Sequence, residues 1–71
     1  MNNAIGFQSL YNNNSGINNN AFGTYALRSN TTGSNNIAIG TSSLYYNVNA
    51  ENNIALGNFA MNLNTTGSGN I

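Results

Sequence analysis

The chain has 71 residues, of which one is basic (Arg28), one is acidic (Glu51), 19 are Asn and none is His, Cys or Pro. Charged residues are 3% of the total, against roughly a quarter in an average soluble domain. That inventory offers no cation cluster for nucleic acid or an anionic membrane surface. It also offers no carboxylate pair, triad or ligand cluster for acid–base, nucleophilic or metal chemistry. Neither an enzyme nor a cofactor is expected.

The opening stretch, "MNNAIGFQ", has neither the charged nor the apolar region of a secretory signal. No apolar run approaches the ~20 residues that cross a bilayer, so this segment is not expected to insert into a membrane. Asparagine at this density reads as low-complexity disorder unless the residues are ordered by position. They are. Ala-apolar-Gly occurs as Ala4-Ile5-Gly6, Ala21-Phe22-Gly23, Ala38-Ile39-Gly40 and Ala55-Leu56-Gly57, at intervals of 17 residues without insertion or deletion. Three lead-in residues (1–3) precede four units, 4–20, 21–37, 38–54 and 55–71, which form one repeat array. Ile71 falls just before the Ala of a further unit, and no atypical capping repeat is visible. The chain is therefore read as a stretch of a longer array.

With Ala as position 1, the elements of a unit follow in chain order. Positions 16 to 3 ("NIAIG" in Asn36–Gly40) alternate with period 2 and predict a short strand. The large apolar residues at positions 17 and 2 are expected to face inward. Positions 5 to 9 ("SSLYY" in Ser42–Tyr46) predict a weaker second strand around Leu44. Asn or Gly at positions 10, 13 and 16 predicts corners, because both tolerate left-handed backbone angles. The expected core is Ile5, Leu10, Phe22, Leu27, Ile37, Ile39, Leu44, Ile54, Leu56 and Met61. Asn13, Asn30, Asn47 and Asn64 at position 10, and Asn19, Asn36 and Asn53 at position 16, are expected to stack as amide ladders.

Seventeen residues are too few for a helical-hairpin repeat. A coil of two short strands and two turns, stacked on the next coil, fits the pattern: an all-β fold, a parallel β-solenoid or β-roll. Each coil buries only two or three large apolar side chains, at ~1.5–3 kcal/mol each, against ~1.5 kcal/mol per residue ordered. A lone array is then marginal, and association is the usual remedy. Ala at position 1, Gly at 3 and the small residue at 6 would admit a neighbouring chain.

"NNIAIGTSSL" and "NNIALGNFAM" resemble the "NSVAIGxxSxA"-type repeats in the head domains of trimeric autotransporter adhesins. The longer unit, with "LRSNTTG" and "MNLNTTG", resembles the "NTAIGYxALYxNTTG" repeats of bacterial surface proteins and phage-type tail fibres. The resemblance covers the whole chain, although the unit is longer than that of the adhesin heads, which requires an enlarged turn. It implies a left-handed roll with three chains wound about one axis, on a cell surface or virion fibre. The function expected is therefore a structural repeat segment of an extracellular fibre or adhesin. A self-assembling filament, with coils stacking end to end, is the alternative. A third reading is a module for a host receptor or glycan, built on the outward column Tyr11, Arg28 and Tyr45 at position 8. Against it stands the plainer expectation that these are solvated or packing side chains.

Overall fold

The computed structural model describes residues 1–71. It is all-β, with four strands, β1 (Asn3–Ile5), β2 (Asn20–Phe22), β3 (Ile37–Ile39) and β4 (Ile54–Leu56). They form one parallel sheet in chain order. Ala4 pairs with Ala21, Ala21 with Ala38 and Ala38 with Ala55, so each step along the sheet advances the chain by one repeat. An arrangement of this kind is compatible with a β-solenoid.

The strand faces are the reverse of the expectation. In β2, β3 and β4 the middle residue, Ala21, Ala38 or Ala55, is buried. Ile5, Ile39, Ile54 and Leu56 are exposed, Leu56 to 74%, while Phe22 and Ile37 are half-buried. These six residues do not form the core. The buried apolar cluster is Leu10, Leu27 and Leu44 with Ala21, Ala26, Ala38 and Ala55, and Ala60 and Met61 pack against it. A strand alternates with period 2, so turning it over exchanges its whole apolar set for its small set. Here the interior is shared with side chains from the rest of the unit. Leu at position 7 and Asn at positions 10 and 16 already occupy it, leaving space for a methyl group where the strand faces in. The Ala and small position-6 columns therefore line this chain's own interior and do not form a docking strip for another chain. Leu27 is fully buried between Leu10 and Leu44. Leu27→Ala is expected to lower the unfolding free energy by about 3 kcal/mol, measured by urea denaturation followed by circular dichroism.

The expected second strand is a run of turns. The N–H groups at positions 6, 8 and 10 bond back to the carbonyls of positions 3, 5 and 7 in the same unit, as Ala26 to Gly23, Arg28 to Tyr25 and Asn30 to Leu27. The N–H groups at positions 5, 7 and 9 reach neighbouring units: Tyr25 donates to Phe7 O, Leu27 to Ser43 O and Ser29 to Tyr45 O. This alternation needs left-handed angles at positions 5 and 7, and Tyr25 (φ 62°), Leu27 (φ 52°), Ser42 (φ 57°) and Leu44 (φ 49°) adopt them. A strand cannot contain such residues. The expected corners move accordingly. Positions 10, 13 and 16 hold no positive φ in units one to three, whereas Asn18, Asn35 and Asn52 at position 15 do.

Asn19, Asn30, Asn36, Asn47 and Asn53 are wholly buried, and their two columns bond differently. At position 10 amide meets amide. Asn30 Nδ2 donates to Asn13 Oδ1 (2.9 Å), Asn47 Nδ2 to Asn30 Oδ1 (3.0 Å) and Asn64 Nδ2 to Asn47 Oδ1 (3.3 Å). The position-16 amides instead clasp the backbone of the following unit, which corrects the expectation of an amide ladder for Asn19, Asn36 and Asn53. Asn19 Oδ1 accepts the Asn36 N–H (3.0 Å) and Asn19 Nδ2 donates to Gly33 O (2.8 Å). Asn36 repeats this on Asn53 N–H and Ala50 O, and Asn53 on Asn70 N–H and Gly67 O. No buried side-chain nitrogen or oxygen lacks a partner, which is what makes a polar interior stable. The same bonds pin the register, because a slip would leave these amides unpaired.

A longer period of 34 residues overlies the 17-residue one. Arg28 Nε donates to Gln8 Oε1 (2.8 Å) and Asn62 Nδ2 to Ser42 O (3.1 Å), each pair 20 residues apart. Ser34 Oγ accepts the Ile17 N–H (3.0 Å) and Ser68 Oγ the Glu51 N–H (2.9 Å). Units one and two, and units three and four, are thus joined by extra bonds at the same two places, the first reaching a side chain (Gln8) in one pair and a backbone carbonyl (Ser42) in the other. Between units two and three, ring packing of Tyr25 on Tyr45 (centroids 5.9 Å apart) stands in their place.

Candidate functional site

Two outward features distinguish this surface, and both follow from how a unit is built. The first is the solvent face of the sheet. Parallel pairing sets Ile5 beside Phe22, Phe22 beside Ile39 and Ile39 beside Leu56. Ile37 and Ile54 add a second, shorter row. Large apolar side chains thus form stripes on the outside of the sheet, while the inside holds Leu and Ala together with buried Asn, against the usual partition.

The second is the aromatic column that the turns carry. Positions 6 and 7 point inward, as Ala26 and Leu27 do, and the left-handed turns bring position 8 to the outside. Position 8 then stacks Tyr11, Arg28 and Tyr45 one unit apart, with Tyr11 exposed and Arg28 and Tyr45 half-buried. Arg28 Cζ lies 5.2 Å from the Tyr11 ring centroid, 5.8 Å from that of Tyr45 and 6.0 Å from that of Tyr25. These are cation–π distances, favourable because the ring faces carry negative potential. Edge-on ring contacts extend the cluster from Phe7 to Tyr25 (5.8 Å), on to Tyr45 and then to Tyr46 (4.6 Å).

The structure thus brings Tyr11, Arg28 and Tyr45 together as the repeat places them, but Arg28 is not a freely solvated charge. Gln8, Tyr25, Tyr46 and Phe7 belong to the cluster and are missed by reading one column at a time. The turn places position 5 of one unit beside position 8 of the next, so an offset of 20 residues joins Gln8 to Arg28. The presence of Arg at position 8 of unit two alone, with Tyr in the units on either side, is the signal that points to it. The cluster lies on an open face, since the molecule has no concave pocket.

No protein-family model, curated protein or solved structure matches this chain.

Proposed function

We propose that this chain is a stretch of parallel β-solenoid, built of 17-residue coils, in an extracellular fibre or adhesin. Its role is structural: it spaces or presents a surface attachment site, on a cell surface or a virion. In this reading three copies associate about one axis and the solenoid winds left-handed, as the resemblance of the repeats implies. The observation that carries the proposal is the exposed apolar row Ile5, Ile39 and Leu56, with half-buried Phe22. A monomer in water gains nothing from such a row, and an apolar patch of this kind marks an interaction surface. Because the row recurs in every unit, an interface built on it lengthens with the array, as a fibre requires. An uncharged surface of Asn, Ser and Thr stays hydrated at any salt concentration.

Sedimentation velocity on the purified chain tests the reading, with a discrete threefold mass as the expected result. Replacing Ile5, Ile39 and Leu56 together by Asn should yield a monomer with the wild-type circular dichroism spectrum. An open-ended size distribution would favour end-to-end filament growth instead. A stable wild-type monomer would exclude both assemblies.

A further inference from the structure

We propose that the Arg28 column is a binding site for a saccharide carrying a single carboxylate, such as a uronic acid. This goes beyond the array reading and stands whether the chain is single or threefold. Three observations converge on it. First, Arg28 is held in place but incompletely used. Its Nε is taken by Gln8 Oε1 at 2.8 Å, and its guanidinium is flanked by Tyr11, Tyr25 and Tyr45. Its two Nη groups make no hydrogen bond within the chain and are not buried. Those two donors form the edge that receives a carboxylate with two parallel bonds.

Second, the chain supplies no carboxylate of its own for this edge. The single acidic side chain, Glu51, is exposed and sits at position 14, away from the column at position 8. Third, the surroundings suit a ring that is apolar on its faces and hydroxylated at its rim. None of the four tyrosine hydroxyls is bonded within the chain, and none is buried without a partner. Tyr11 is an exposed ring beside the guanidinium, and the exposed rings of Phe7 and Tyr46 extend the cluster through Tyr25 and Tyr45. Tyrosine supplies rigid, amphipathic contact area of this kind at low entropic cost.

The same facts select among anions. One cation in 71 residues cannot neutralise a run of phosphates or sulfates, whose capture requires several Lys or Arg. One carboxylate against one arginine balances. With no concave pocket, the sugar lies along the column, and affinity per site falls in the range of about millimolar.

The probe is galacturonic acid, with its methyl ester as the neutral counterpart, titrated into the intact chain and followed by NMR. Saturable shifts of the Tyr ring protons and of the Arg28 Nε–H are expected with the acid. At least about tenfold weaker binding is expected for the ester and for Arg28→Gln, the loss for a hydrogen bond to a charged group. Arg28→Lys, which keeps the charge without the fork, should fall between. Tyr11→Ala should weaken binding and Glu51→Gln should not. Equal affinity for acid and ester, full binding by Arg28→Gln, or no saturable shift with the acid would overturn the proposal. The acid–ester comparison uses the unaltered chain, so it decides the matter even if a variant does not fold.

Discussion

Gly40→Ala is expected to lower the unfolding free energy by about 3 kcal/mol or more, while Gly57→Ala should cost only about 1–2 kcal/mol. Both glycines hold nearly the same dihedral, φ +127° and +125°, which L residues avoid. That penalty is therefore common to the two variants. The difference lies in what a Cβ would meet. At Gly40 it would lie 2.5 Å from Gly57 O and 2.6 Å from Gly57 C, whereas at Gly57 it meets nothing within 4 Å. The obstacle at Gly40 is backbone, so no side-chain rotation relieves it. Gly6 and Gly23 have the same relation to the unit that follows each of them. Urea titration of the two variants in parallel measures the gap. Equal losses would mean that the column is selected for its dihedral alone and that the units do not pack backbone to backbone there.

Asn36→Asp should cost about 3 kcal/mol or more at neutral pH, and its cost should depend on pH although the chain is otherwise nearly free of charge. The Asn36 amide accepts the Asn53 N–H at 3.0 Å and donates to Ala50 O at 2.9 Å. An ionised aspartate would set an oxygen against that carbonyl and place an unpaired charge in a buried site, which is expensive. Protonated, the same side chain can donate to Ala50 O and restore the bond. Burial and the carbonyl thus both favour the neutral form, so the folded pKa of this carboxyl lies above its unfolded value of about 4. The sign follows from linkage. The variant is most stable below pH about 4, loses stability as pH rises through the folded pKa, and levels off above it. Thermal melts of Asn36→Asp between acid and neutral pH, beside wild type, check this. Asn12→Asp, at an exposed position, should change stability by no more than about 0.5 kcal/mol. A pH-independent Asn36→Asp melt would refute the clasp described for that column.

Both predictions concern backbone contact between units, and that is where this chain differs from an ordinary β protein. A large apolar core is absent; Leu10, Leu27 and Leu44 with a lining of Ala supply a thin one. Beside it, buried amides bond to one another and to carbonyls, and most backbone hydrogen bonds lie outside the strands (37 of 43). Stability in such a molecule grows with the number of stacked units, since each interior unit is bonded on both sides and each outer unit on one.

The amino-acid sequence by itself determined the period, the parallel in-register stacking and the columns. Identical residues recurring every 17 positions can be satisfied together only if each unit lies on the next. It also marked position 7, where Leu10, Leu27 and Leu44 give way only to Met61, and positions 10 and 16, where every unit has Asn. The direction in which each column points was decided by the tertiary structure. Alternation separates Ile39 from Ala38 but does not say which is inside. Ala38 won because Leu44, Asn36 and Asn47 already fill the cross-section of the unit. The turns at positions 5 to 9 were likewise not legible. Their left-handed residues, Tyr25, Leu27, Ser42 and Leu44, are types that avoid such angles unless the surrounding bonds impose them. The aromatic setting of Arg28 depends on those turns, since Gln8 and Tyr25 reach it only after the backbone has folded back.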